Sequence, residues 1–107
     1  MASPFEEMAS LDRLVHEPAR LAILTALSSC ESADFKFLQT LTGLTAGNLS
    51  SHMTKLEQAD LVEIQKQFVN NRPNTMVSIT PQGLATIENH WKQLEELRQI
   101  SEDWSPK

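Results

Sequence analysis

Asn48, Ser50, Ser51, His52, Thr54 and Lys55 crowd one short stretch of the chain, a set of compact hydrogen-bonding side chains with a single cation. Side chains of this kind suit recognition more than bond making: donors and acceptors for base edges, and a positive charge for a phosphate. Leu49, Met53 and Leu56 recur at i, i+4 and i+7 and form one apolar helical stripe. At ~100° per residue, Gly47, Ser51, Thr54, Lys55 and Gln58 then point away from that stripe, with Asn48 and His52 on its flanks. A face so lined can approach the floor of a DNA major groove.

Several elements must position such a helix. Leu38 to Thr42 belongs to a preceding helix, predicted over Phe35–Thr42, with Gly43 suited to the left-handed position after its end. Thr45 is the expected cap of the next helix, which spans residues 46–59. Residues 61–68 alternate and read as a strand, 70–74 as a turn with αL-tolerant asparagines, and 76–80 as the returning strand. Arg72, at the expected hairpin tip and stiffened by Pro73, is the candidate for a phosphate or minor-groove contact, with Lys66 on the preceding strand assisting. Upstream, Ser3-Pro4-Phe5-Glu6 is a helix start, and Phe5, Met8, Leu11, Leu14 and Val15 supply its apolar face. Pro18 interrupts it and opens a second helix to about Leu27, followed by a loop over Ser28–Ser32 and a possible short strand at 33–35. Thr80-Pro81 opens the last helix, 81–101, whose residues Leu84, Ile87, Trp91, Leu94 and Leu97 form a long stripe. That stripe exceeds what so small a core should cover, so it is expected to dimerise together with Phe5, Met8 and Leu11.

Composition bounds the alternatives. At 107 residues a single domain is expected, and no run of 18 apolar residues predicts a membrane span. The acidic N-terminus lacks the apolar core of a secretion signal, and one cysteine, Cys30, cannot form an internal disulfide; a cytoplasmic location is the expectation. The net charge of −5 opposes indiscriminate polyanion binding. It is unevenly spread: residues 1–33 hold two cations against five acids, 34–80 four against four, and 81–107 three against five. The candidate reading segment is thus the least acidic. His16, His52 and His90 are scattered in sequence without an HExxH arrangement, Cys30 sits beside Glu31, and no glycine-rich phosphate loop is present. No catalytic residue, metal site or cofactor is expected.

Helix, helix, second reading helix and hairpin, in that order, make a mainly α chain with a small β-hairpin: a winged helix-turn-helix with added N- and C-terminal helices. The sequence resembles the winged-helix transcriptional regulators related to the MarR and ArsR families, especially small stand-alone members with a C-terminal dimerisation helix. The resemblance rests on residues 11–21 around His16-Glu17-Pro18-Ala19-Arg20, on Gly47-Asn48-Leu49-Ser50-Ser51-His52, on Lys55-Leu56-Glu57, on Arg72-Pro73-Asn74-Thr75 and on Thr80-Pro81-Gln82-Gly83. Asp60 stands where such proteins often have glycine after the recognition helix. The helix also lacks the paired cysteines of metal-sensing ArsR members. The resemblance implies double-stranded DNA as partner, read by Gly47, Asn48, Ser50, Ser51, His52, Thr54 and Lys55 with Lys66 and Arg72 on a wing at 69–75. It further implies a homodimeric repressor on a roughly palindromic operator. The competing readings are a winged-helix protein–protein module without DNA binding and a regulator responding to an unknown small-molecule effector.

Overall fold

Side-chain oxygens set every helix start. In the computed structural model, which describes residues 3–106, Ser3 caps α1 (Pro4–Ala9), Glu17 caps α2 (Pro18–Cys30) and Asp34 caps α3 (Phe35–Thr42). Thr45 caps α4 (Ala46–Gln58) and Thr80 caps α5 (Pro81–Glu102). Each oxygen accepts from an amide that the helix cannot satisfy itself, which stabilises the start by about 1 kcal/mol. Proline occupies the opening of α1, α2 and α5, where its missing N–H costs nothing. Strands β1 (Ser32–Asp34), β2 (Val62–Val69) and β3 (Arg72–Ile79) form an antiparallel sheet in the order β1-β3-β2.

Four boundaries differ from the sequence reading, each for a local reason. The first helix stops at Ala9 instead of running to Val15. Asp12 Oδ1 accepts from the Leu14 amide at 2.9 Å and its carbonyl from the His16 amide at 2.7 Å, so the chain turns there. Leu11 and Val15 still reach the interior, but from a turn. The second helix continues past Leu27 through the expected loop to Cys30, its hydroxyl and thiol side chains bonding back to the helix: Ser28 Oγ donates to the Thr25 carbonyl and Cys30 Sγ to that of Ala26. Glu31, at φ 68°, ends it, and the short strand begins at Ser32, one residue early. The hairpin turn is only Asn70-Asn71, with φ of 53° and 62°, the two left-handed residues of a type I′ connection. Arg72 and Pro73 consequently belong to β3 and pair with Val69 and Phe68. By the alternation of an antiparallel ladder, the Pro73 nitrogen faces away from β2, so its missing N–H breaks no bond.

The core lies where α2, α3, α4 and the sheet meet, with Ile23, Leu24, Leu27, Leu38, Leu49 and Leu56 fully enclosed. From it α5 extends away, and α1 packs on α5. The Phe5 and Trp104 rings meet edge to face, centroids 5.1 Å apart. The molecule is elongated, 66 × 26 × 21 Å with a radius of gyration of 16.5 Å, against about 13 Å for a compact chain of this length. Among the described residues, no helix is long and apolar enough to cross a membrane.

Two contacts fix the direction of α5. At its start, a Cβ on Gly83 would run into the Leu61 carbonyl group and lie 2.9 Å from Ile79 Cγ1, so only glycine allows the first turn to sit on the backbone entering β2. Further along, His90 is buried and its Nε2 lies 3.0 Å from Nδ1 of His16. Burial, and then the nearby His16 charge, hold the His90 imidazole below its ordinary value, against a weaker upward pull from Asp12. The histidines that are dispersed in sequence are thus partly gathered by the fold.

Two stability effects follow. Gly83→Ala should destabilise by about 1–3 kcal/mol through overpacking against backbone, while Gly47→Ala, with open space at its Cβ, should be neutral or stabilising by up to about 1 kcal/mol. Urea melts compare the two. The depressed His90 value means the unfolded chain takes up this proton first. Its stabilising contribution is therefore complete above the ordinary value of 6.5 and is lost as pH falls from there through the folded value. Melts from pH 8 to 5 should show stability falling over that window, and His90→Gln should flatten the slope.

Candidate nucleic-acid interface

The apolar stripe of α4 is completely consumed by the core: Leu49 and Leu56 are 0% exposed and Met53 2%. With about 1.5–3 kcal/mol for each such side chain, the helix has one stable rotational setting. Its opposite face is consequently presented outward, and Gly47, Asn48, Ser50, Ser51, Thr54 and Lys55 are all exposed. A three-residue turn, Gly43-Leu44-Thr45, joins α3 to α4, with Gly43 left-handed at φ 72°. Asp60 takes φ 60° after α4, the conformation for which glycine would be the easier residue. Thr54 Oγ1 donates to the Ser50 carbonyl at 3.0 Å, so its hydroxyl has only acceptor capacity left for another molecule.

Beside this helix stands the β2–β3 hairpin. Lys66 pairs with Thr75 and Arg72 with Val69, both cations exposed. Strand alternation puts them on opposite faces: Lys66 shares its face with Ile64 and Phe68, and Arg72 shares its own with Gln67 and Asn74. The Gln67 amide donates to Asn74 Oδ1 at 3.1 Å and braces the two strands near the tip. Lys66 lines a groove of about 580 Å³ between α4 and the sheet, together with Ser50, Met53, Thr54 and Glu57. Arg72 borders a second depression that Lys36 of α3 also lines.

The fold separates the remaining expected site residues. His52 is half-buried: its Nδ1 lies 3.0 Å from Nη1 of buried Arg20 and 3.6 Å from Glu17 Oε2. Burial pushes the Glu17 carboxyl up, but the Arg20 and Ala19 amides and the neighbouring His52 and Arg20 side chains outweigh it and leave the group below its ordinary value. Of the residues assigned to dimerisation, Leu11, Ile87 and Leu97 are buried within the single chain, so they serve its own core. The expectation that the small core could not cover the stripe does not hold at these positions: Ile87 belongs to the main core cluster, and α1 and the residues after it pack along α5. Met8, Leu84 and Leu94 are half-buried, while Phe5 and Trp91 are exposed.

Lys36 was not among the candidate site residues, and Arg20 entered the sequence reading only through the family resemblance. A finer division of charge would have drawn attention to Lys36: residues 35–56 and 64–87 contain Lys36, Lys55, Lys66 and Arg72 and no acid at all. Glu57, Asp60 and Glu63, between the two stretches, hid this in the balance for 34–80. Phe68, 76% exposed on the wing, also gave no sequence signal apart from a strand apolar residue. Among the described residues, no group of three or more His, Cys, Asp or Glu side chains could hold a metal ion.

Comparison with known proteins agrees with this geometry. A family model described as a winged helix DNA-binding domain matches residues 19–98. An uncharacterized protein of Methanocaldococcus jannaschii is 31% identical over 91 residues, which is 85% of this chain and 96% of that protein. The solved structure of a transcriptional regulator homologue from Pyrococcus horikoshii superposes with a TM-score of 0.81 at 30% identity, covering 90% of this chain and 94% of that one. A MarR-family transcriptional regulator from Silicibacter pomeroyi shares the fold at 21% identity and a TM-score of 0.63, with 89% of this chain and 61% of that one covered. The capped α4 helix, the two-residue hairpin and the sequence match together place this chain in the winged helix DNA-binding domain family.

Proposed function

We propose that the chain is a homodimeric, sequence-specific transcriptional regulator of MarR/ArsR type that acts as a repressor by occupying an operator. The observation that carries this reading is the outward face of α4, where Asn48, Ser51 and Lys55 are exposed while the stripe behind them is buried. Asn48 and Ser51 address base edges, Ser50 and Lys55 the phosphate backbone, and Lys66 and Arg72 flank the helix from the wing. The acid-free stretches 35–56 and 64–87 keep this side of an otherwise acidic protein compatible with a polyanion.

The dimer reading rests on α5. Trp91 is 45% exposed, its ring nitrogen donating to Thr25 Oγ1 at 2.8 Å. It borders a largely apolar depression of about 500 Å³ lined by Pro18, Leu21, Ala22, Thr25, Ala26 and Ser29. An elongated subunit with such a surface along its arm is suited to a second copy. Two-fold pairing would set two α4 helices about one DNA turn apart, on a roughly palindromic site. The protein's place in this reading is the cytoplasm.

Selection from random duplex DNA followed by titration across a salt series tests the DNA reading. Affinity should fall linearly in log–log form, by about 0.9 for each phosphate neutralised. Arg72→Ala should weaken all sequences alike and reduce the slope by about 1, whereas Asn48→Ala should relax preference at one base position by about 1–3 kcal/mol. If no duplex is retained even at low salt, the chain is an interaction module and the proposal fails. Trp91→Glu should convert dimers to monomers in sedimentation; a variant that still sediments as a dimer would move the interface off this face.

A further inference from the structure

Among the described residues Arg20 is the most completely enclosed arginine or lysine, 8% exposed, and it takes part in neither the apolar core nor the outward face of α4. Its guanidinium ties three segments together. Nε–H donates to the Leu14 carbonyl at 2.6 Å, an Nη2 hydrogen to the Arg13 carbonyl at 3.3 Å, and an Nη1 hydrogen lies toward His52 Nδ1 at 3.0 Å. Glu17, whose Oε2 accepts from the Arg20 amide at 2.9 Å, stands 3.9 Å from Nη1 and balances the charge. A buried arginine needs such partners, since an uncompensated charge inside a protein is strongly destabilising.

The contact with His52 determines which ring nitrogen carries hydrogen. Arginine has donors only, so Nδ1 must offer a lone pair at 3.0 Å. Glu17 Oε2, at 3.6 Å, is too far to hold a proton on Nδ1 in competition. The ring is thus neutral, with its hydrogen on Nε2. Among the described residues no protein group bonds Nε2 and no fully buried side-chain nitrogen lacks a partner, so Nε2 of this half-buried ring keeps some contact with solvent. His52 lies one turn after Asn48 and one before Lys55 on the flank of α4.

We infer that Arg20 is a positioning residue for DNA binding: through His52 Nδ1 it holds the ring so that a neutral Nε2–H is aimed at a backbone phosphate beside the α4 reading face. The inference rests on the DNA-binding reading and adds to it the charge state of one contact and the residue that sets it. A neutral donor bonds a phosphate oxygen without replacing a condensed counterion. It therefore strengthens binding without adding to the salt dependence, unlike Lys55 or Arg72. It also gives no preference among bases.

The test uses full-length protein and a duplex selected by it, titrated across a salt series. His52→Ala should weaken binding about ten- to a hundredfold, the range for one hydrogen bond to a charged group, equally for cognate and unrelated duplexes and with an unchanged slope. His52→Asn, which keeps an acceptor for Arg20 but has no donor at the Nε2 position, should melt like the wild type and bind as weakly as His52→Ala. Arg20→Lys should weaken binding in the wild-type background and add nothing when His52 is already alanine. Long-range proton–nitrogen NMR of the free protein should show Nδ1 without hydrogen and Nε2 with it. A wild type that binds while His52→Ala leaves affinity intact overturns this inference alone. A slope lowered by about 1 in His52→Ala overturns the neutral donor, and independent, additive effects of Arg20→Lys and His52→Ala overturn the coupling. Absence of any binding by the wild type defeats the DNA reading itself.

Discussion

Burial of Leu49, Met53 and Leu56 against α2 is the constraint from which the rest of the molecule takes its orientation. Turning α4 about its axis would bring Lys55 or Ser51 into the core and the leucines into water, at a cost of several kcal/mol. That cost is what makes a helix of small polar residues a rigid display. The short Gly43–Thr45 turn and the caps at Thr45 and Asp34 set its ends, and the hydrogen-bonded sheet sets the hairpin beside it. The outward face of α4 is therefore a by-product of ordinary core packing, with its polar side chains on positions the core does not need.

Polar groups complete what the apolar stripe begins. Arg20 fastens residues 13–14 and α4 to the start of α2, and His16 meets His90 where the same connecting segment touches α5. Residues 11–16 are thereby a junction: Arg20 ties one side of them to α4, and His16 on the other meets His90 of α5. Gly83 sets the departure of that arm by allowing α5 to rest on the Leu61 backbone. Such a small core cannot hold a 22-residue helix along its whole length, and α1 with its Phe5–Trp104 contact covers part of the remainder. The exposed Trp91 face lies between these two supports.

Local chemistry was legible in the residues. The spans of α3 and α4, the threonine caps, the left-handed Gly43 and the order of helices and hairpin follow from patterns a few residues long, which act over the same distance as the physics behind them. Boundaries failed where a local rule had a competitor. Asp12 turns the chain inside a periodic apolar pattern, and α2 continues through Ser28, Ser29 and Cys30 because their side chains bond back to its own carbonyls or remain exposed. At the hairpin, two asparagines sufficed for the turn, and Pro73 was absorbed where the ladder needs no donor.

By itself, then, the sequence determined the winged-helix order and which face of α4 is polar, since periodicity and capping are properties of neighbouring residues. Only the tertiary structure decided which partners distant side chains meet. It joined His52 to Arg20 across 32 positions and His16 to His90 across 74, enclosed Leu11, Ile87 and Leu97 within the single chain, and put Lys66 and Arg72 on opposite faces of one hairpin. Those outcomes depend on the docking of whole elements, a collective result of packing that no short window of residues contains.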